Sequence, residues 1–241
     1  MMKWLLAGLS FVTAAVAAES YHFASIKLLA EQEVGRIVLP QLYAKLDIQI
    51  TITPLPGKRA EHNVVNGQLD GEIMRIYSYG DENPNMVRVP TAYYFLETMP
   101  FVSASRNLRI EDQEHLQQFI IGKVRGVKHT NNMTAGMPRV HDFDTTEEMM
   151  RLVEQGLIDV ALTSQLNGVV TLTAMDSNRL IATTPPLDKQ DLYHYIHQRH
   201  KTLVPRIDKV IAQSIANGEL AKLISEAEKQ VFERAKAKKA R

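Results

Sequence analysis

Two stretches far apart in the chain are written in the same way. Residues 66–73 read NGQLDGEI, and residues 155–162 read QGLIDVAL. In each, a polar, helix-like run ends on a glycine, two residues pass, and an aspartate leads into a short apolar run. Glycine adopts the left-handed backbone that stops a helix without steric cost. Aspartate suits the tight turn into a strand. A helix–turn–strand junction used twice predicts two similar α/β lobes, and it excludes an all-helical or all-β chain.

The intervening sequence supports that reading. Residues 21–26 (YHFASI) read as a strand. Val34, Ile37, Val38, Leu42 and Leu46 recur at helical spacing, predicting a helix over about 30–46 with Pro40 on its solvent face. Residues 48–55 (IQITITPL) alternate as a strand, residues 56–68 open with turn chemistry and continue as a short helix, and residues 69–76 (LDGEIMRI) form the next strand. The long aromatic stretch from Val87 to Asn107 reads as an edge strand followed by a crossover. In the second half, residues 119–129 (FIIGKVRGVKH) read as a strand pair or one long strand, and residues 139–143 as a strand. Residues 144–156 (DTTEEMMRLVEQG) read as a helix capped by Thr145, with Glu148 completing a capping box. Strands follow over 157–163, 179–185 and 191–198. Long helices run from about Thr202 to the end and divide at Gly218. Strand and helix in alternation predict an α/β fold with largely parallel sheets and a cleft between two lobes.

Composition narrows the function classes. Lys plus Arg number 28 and Asp plus Glu 27, a balance that gives no support to a nucleic-acid partner. The first residues, MMKWLLAGLSFVTAAVAAES, have a positive start at Lys3, an apolar run over 4–16 and small residues at Ala15, Ala17 and Ala18. That pattern predicts a secretory signal peptide cleaved after Ala17 or Ala18, and hence an exported protein. Cleavage removes Trp4, the single tryptophan, so aromatic contacts to a ligand fall to Tyr and Phe. The chain has no cysteine, which excludes thiol catalysis, cysteine-ligated metal and disulfide stapling.

Taken together, the leader, GQLDGEI, GLIDVAL, VRVPTAYYF, FIIGKVRGVKHTN and the terminal VPRIDKVIAQSIANGELAKLI resemble bacterial extracellular solute-binding proteins of family 3, the amino-acid type of ABC transporter substrate-binding protein. The resemblance covers nearly all of the chain after the leader. It implies a two-lobed clamshell that closes by a hinge. Lobe one would be residues 19–104 plus 198–241, and lobe two residues 105–197. The chain departs from the family in two places. FASIKLLAEQE leads almost directly into the first helix, without the usual aromatic, Pro-containing loop. YGDENPN stands where an arginine that clamps the ligand's carboxylate is usual. These departures mark a shortened, divergent member.

Strand C-termini and helix N-termini line the cleft of such folds. Arg59, at a helix start, is placed to offer a guanidinium to an anion, or to remain a solvated surface residue. Arg75, at the end of an apolar strand, either faces the cleft or pairs internally with Glu72. Lys128, His129, Thr130 and Asn131 follow a strand in the second lobe, where the resemblance implies a helix whose N–H groups meet the ligand. Thr163, Ser164 and Gln165 hold the equivalent place after LIDVAL. Tyr77, Tyr93 and Tyr94 are candidate aromatic walls, with core packing as the alternative. His194, His197 and His200 recur at three-residue spacing, but the run straddles a strand end and a helix start, so no metal site is expected.

The function these observations imply is capture of a small anionic or zwitterionic solute, an amino acid or a relative of one. The solute would be delivered to the membrane permease of an ABC transporter by a periplasmic monomer that needs no cofactor. A ligand-sensing subunit for a membrane receptor or kinase is the alternative. Some proteins of this fold dehydrate small cyclohexadienyl acids; for that chemistry Glu72 is the single acid to nominate, but no nucleophile–base pair accompanies it, and no enzyme is expected.

Overall fold

The computed structural model describes residues 19–239, with the side chain of Lys239 excepted; the expected signal peptide lies outside them. In chain order the elements of the first half are β1 (Ser20–Ile26), α1 (Ala30–Ala44), β2 (Gln49–Leu55), α2 (Gly57–Val65), β3 (Gly71–Ile76), α3 (Tyr79–Glu82), β4 (Met86–Arg88) and β5 (Tyr94–Ser103). The second half holds α4 (Gln113–Leu116), β6 (Ile121–Val124), α5 (Lys128–Met133), β7 (Val140–Phe143), α6 (Thr146–Glu154), β8 (Val160–Ser164), α7 (Gln165–Met175), β9 (Leu180–Ala182) and β10 (Asp188–His197). Helices α8 (Val204–Ala216) and α9 (Glu219–Lys239) close the chain.

The strands form one continuous sheet in the order β2-β1-β3-β10-β5-β8-β6-β7, with β4 on β10 and β9 on β5. Strands β2, β1 and β3 are parallel, as are β7, β6 and β8. Between the two groups runs an antiparallel ladder of β5 and β10, from Tyr94 opposite Leu192 to Thr98 opposite Asp188. Each parallel group is covered on both faces, as parallel sheets require. Helices α1, α8 and α9 bury Val34, Val38, Leu42, Ile207, Ile211 and Val231 against one face of the first group. Ala60 and Val64 of α2 pack on its other face with Tyr79 and Tyr195. In the second group, Met149, Met150 and Val153 of α6 cover one face, and Ile110 and Leu116 cover the other. The fold is therefore mixed α/β with two lobes.

The duplicated phrase occupies equivalent positions in the two groups. Gly67 and Gly156 take φ of +69° and +72°, the left-handed turn that ends α2 and α6. The aspartates do more than shape a turn. Asp70 accepts a hydrogen bond from the backbone N–H of His22 in β1 at 2.7 Å, and Asp159 accepts one from Ile120 beside β6 at 2.8 Å. Each carboxylate also pairs with an arginine, Arg199 for Asp70 and Arg106 for Asp159. The phrase thus joins each new strand to its neighbour.

The structure departs from the sequence expectations at 119–129 and 165–175. The run 119–129 is neither a long strand nor a strand pair: β6 stops at Val124, Gly126 turns at φ +80°, and Lys128 opens α5. Residues 165–175, whose pattern predicts no element, form α7. Its many β-branched residues hide a helix whose N-terminus is capped by Ser164, which accepts from the N–H of Asn167 at 3.3 Å. As the spacing predicts, the terminal helix runs on, α9 reaching Lys239, and Lys238 pairs with Glu147 of α6 at 2.9 Å. The cap at Thr145 is present, its hydroxyl accepting from the N–H of Glu148 at 3.1 Å.

Candidate functional site

The C-terminal ends of β1, β3, β6 and β8 converge between the two halves of the sheet. Between them lies a partly open cavity of ≈ 40 Å³, room for about three waters. From the first half come Glu31 and Gln32 at the start of α1, and Met74 and Arg75 at the end of β3. From the second come Lys128 and His129 at the start of α5, and Thr163 and Ser164 at the end of β8. Leu96 and Leu192, on the ladder that joins the halves, form an apolar wall.

Arg75 enters this cavity from a strand that is buried throughout. Its Nη1 lies 3.4 Å from Glu72 Oε1 and its Nη2 3.8 Å from Glu61 Oε2. The guanidinium stacks over the Tyr79 ring at 4.3 Å. Among the described residues Nη2 has no hydrogen-bond partner, although it is buried. Glu72, behind Arg75, is 0% exposed and accepts from the Tyr79 hydroxyl at 2.8 Å. Burial pushes its carboxyl above the usual range, and Arg75 and Tyr79 only partly offset this.

The residue before Arg75 is bent. Met74 has φ of +50°, a left-handed backbone in a bulky residue, and such strain costs on the order of 1–3 kcal/mol. Its N–H donates to the Tyr93 hydroxyl at 3.2 Å, and its carbonyl accepts from Gln32 Nε2 at 2.9 Å. Gln32 also accepts from the N–H of Ile26 at 3.0 Å, so one amide ties the ends of β1 and β3 together. Tyr93 is therefore a support inside the core, and it does not line the cavity.

Polar contacts cross from one half to the other. Lys128 pairs with Glu82 and lies 3.3 Å from Glu61. The Ser164 hydroxyl donates to Glu31, and Asn167 accepts from the N–H of Ala30 at 3.0 Å. Asn132 reaches the Ser78 hydroxyl at 3.3 Å. At the rim the two backbones touch: a Cβ on Gly57 would lie 2.8 Å from the carbonyl oxygen of Gly126.

Of the other lining residues, Ile26, Leu29, Ile76 and Val127 are apolar, and His129 and Thr163 are polar but uncharged. His129 is buried and its Nδ1 lies 2.9 Å from the Thr98 hydroxyl; burial lowers its pKa to about 4, so it is neutral at pH 7. Thr163 accepts from Asn167 Nδ2 at 2.9 Å. Thr130 is buried outside the lining and donates to the Val127 carbonyl at 3.1 Å.

Besides Tyr93 and Thr130, the candidates Arg59, Tyr77 and Tyr94 lie away from the cavity. Arg59 is exposed on α2, because Ala60 and Val64 define that helix's buried face. Tyr77 is 55% exposed, its ring covered by the Arg88 guanidinium at 3.5 Å. Tyr94 donates to Glu228 of α9 at 2.5 Å. The three spaced histidines have separate partners. His194 is buried between the Tyr43 hydroxyl at 2.8 Å and the Glu72 carbonyl at 3.1 Å, His200 meets Asp70 at 2.8 Å, and His197 Nδ1 accepts from the N–H of Arg199 at 3.3 Å.

The sequence reading passed over Glu31, Gln32 and Glu61. Glu31 and Gln32 follow a strand and open a helix, the same signal that singled out Arg59, so the first two were within its reach. Glu61 sits mid-helix and only the packing reveals it.

No family model matches the chain. An uncharacterised protein of Shewanella oneidensis is 22% identical over 175 residues, 70% of this chain and 66% of that protein, so the match spans just under two thirds of the relative's length. Solved structures share the architecture. The GluR0 ligand-binding core in complex with L-glutamate matches with a TM-score of 0.75 at 8% identity, over 88% of this chain and 99% of that one. An ancestral arginine-binding protein bound to arginine matches with 0.72 at 12% identity, over 86% and 97%. The amino-acid ABC transporter substrate-binding protein AbpA from Streptococcus pneumoniae, bound to L-arginine, matches with 0.70 at 14% identity, over 88% and 96%. The chain has the two-lobed fold of family 3 solute-binding proteins.

Proposed function

We propose that the protein captures a small zwitterionic or anionic solute, an amino acid or a close relative, between its two lobes and delivers it to the permease of an ABC transporter. The observation that carries this reading is the cavity where the lobes meet. Arg75, with a buried Nη2 that has no hydrogen-bond partner among the described residues, faces Lys128, His129, Thr163 and Ser164 of the opposite lobe. An oxyanion supplies the acceptor that Nη2 lacks, and the hydroxyls of Thr163 and Ser164 suit a polar ligand. Solved neighbours with this fold include amino-acid-bound substrate-binding proteins, which supports binding over catalysis.

The chain crosses between lobes in β5 and β10, so bending of these strands gives the hinge. The lobes then change over inside these strands: Thr98–Val102 of β5 pair with β8 of lobe two, and Leu192–Ile196 of β10 pair with β3 of lobe one. Export through a leader cleaved after Ala17 or Ala18 puts the monomeric binder in the periplasm, where a permease reads its closed form.

Dye-monitored thermal unfolding of residues 19–241 tests this against amino acids, organic acids, sugars and oligopeptides. A dye is required because Trp4 is the only tryptophan. A true ligand at a hundred times its Kd raises stability by about 2.7 kcal/mol, a shift of about 5–10 °C. Shifts confined to amino acids or organic acids are expected. No shift from any class would overturn the proposal.

A further inference from the structure

Helix α9 does not end on the lobe where it starts. Its first turns belong to lobe one: Lys45, just past α1, holds Glu219 at 2.6 Å, and Leu220, Ala227 and Val231 are buried in that lobe's core. The later turns run on over lobe two. There α9 lies along α7, whose Leu166 and Val170 pack against the same core. Lys238 pairs with Glu147 in the first turn of α6 at 2.9 Å, while Arg234 keeps a hold on lobe one, 3.9 Å from Glu33 of α1. Helix α6 follows β7 and α7 follows β8, so both belong to the second lobe.

This seam is built more lightly than the core. Val231, Arg234, Ala235 and Lys238 share one face of the helix, along a groove of ≈ 270 Å³ shared with the starts of α1 and α6 and with α7. Beyond Val231, Ala235 is the one described residue of α9 that is buried. Arg234 and Lys238 are 62% and 68% exposed. A contact made by one small side chain and two solvent-facing ion pairs can part without uncovering much apolar surface. It is also separate from the candidate site. Ser164 with Glu31 and Lys128 with Glu82 cross between the lobes at the cavity, whereas neither Lys238 nor Glu147 lines it. We propose that the last two turns of α9 are a clasp that fastens lobe two to lobe one, and that the Lys238–Glu147 pair biases the protein toward its closed form before any solute arrives. This inference rests on the hinge reading given above. Apparent affinity scales with the fraction of protein already in the binding form, so the clasp tunes solute binding from outside the cavity.

The test needs no solute. Spin labels on cysteines at the exposed positions Lys58 of α2 and Glu114 of α4, one on each lobe, report the spread of interlobe distances in residues 19–241. Lys238→Glu sets a like charge against Glu147 at a position 68% exposed, away from any core. It is expected to lower the ratio of short to long distances about two- to tenfold, the range for losing and then inverting one surface ion pair. Salt at about 1 M screens both the attraction and the repulsion, so the gap between variant and wild type should shrink there. Lys236→Glu is the control: it makes the same charge change on a side chain paired with Glu233 of its own helix, and is expected to keep the wild-type distribution. Equal distributions in wild type and Lys238→Glu, or an equal loss in Lys236→Glu, would overturn the clasp. If solute still shortens the distance in those proteins, the hinge and solute-binding readings stand without it. A single distance that neither substitution nor any solute moves would overturn the hinge and the clasp together.

Discussion

Arg75 and Glu72 form an ion pair inside the protein, Nη1 to Oε1 at 3.4 Å, with side chains 3% and 0% exposed. Truncating Arg75 therefore does more than empty a binding site. Arg75→Ala leaves Glu72 buried beside a void, and breaking such a pair costs about 3–5 kcal/mol. The double variant Glu72→Gln/Arg75→Gln removes both charges and is expected to recover most of that stability. Urea unfolding of the two variants checks this. A stable Arg75→Ala protein would show that Glu72 does not depend on its partner.

The paired aspartates Asp70 and Asp159 make a second expectation. For each, burial acts to raise the pKa but is outweighed. A backbone N–H and an arginine act on both, and His200 adds to the effect at Asp70, so both carboxyls sit below the usual range. Lowered pKa values mean that their contribution is full above about pH 4 and is lost as pH falls through the folded-state values. Asp70→Asn and Asp159→Asn are each expected to destabilise the protein at pH 7 by about 1–3 kcal/mol. The loss should shrink as the wild type is acidified below pH 4, which chemical denaturation over a pH series measures.

His129 and His194 are buried and neutral, each with a pKa lowered by burial to about 4. The unfolded chain takes up these protons near pH 6.5, so stability is full above that value and falls as pH drops from 6.5 toward 4. Each histidine contributes a slope of up to about 1.4 kcal/mol per pH unit. Glu72 and Glu31, with raised pKa values, act in the opposite sense, gaining stability as they protonate. His129→Asn is therefore expected to flatten the acid limb by about one proton's slope. An unchanged slope would contradict the neutral, buried assignment.

Gly57 and Gly126 meet across the cleft rim with no room for a side chain. The backbone of Gly57 lies outside the left-handed region, so alanine is tolerated there locally and acts as a wedge between lobes. Gly57→Ala is expected to unfold within about 1 kcal/mol of wild type yet weaken solute binding at least about tenfold. Titration calorimetry beside thermal unfolding separates the two effects.

Much of this architecture is legible in the residues. Gly67, Gly156 and Gly218 fall where helices end, and Thr145 where α6 begins, because caps and left-handed turns are local and carry strong residue preferences. Helix α7 is not legible, since Val169, Val170, Thr171 and Thr173 favour strands by themselves and only packing overrides them. The sharp end of β6 hides because Ile120, Ile121 and Val124 before the turn at Gly126, and Val127 after it, are all apolar. In the site, Arg75 and the Lys128–Ser164 side are reached from sequence through the rule for strand ends. The pairing of Lys128 with Glu61 and Glu82, and the strained turn at Met74, are long-range results of docking one lobe on another, and no local pattern encodes them.

The central claim is that a solute is held between lobes that close over it. A distance measurement between spin labels tests it most directly, and the chain suits it because it has no native cysteine. Cysteines at the exposed positions Lys58, on α2, and Glu114, on α4, place one label on each lobe. With the amino acid that raises the unfolding temperature, the short-distance population is expected to grow until it dominates. A distribution unchanged by saturating solute would contradict closure over a bound ligand.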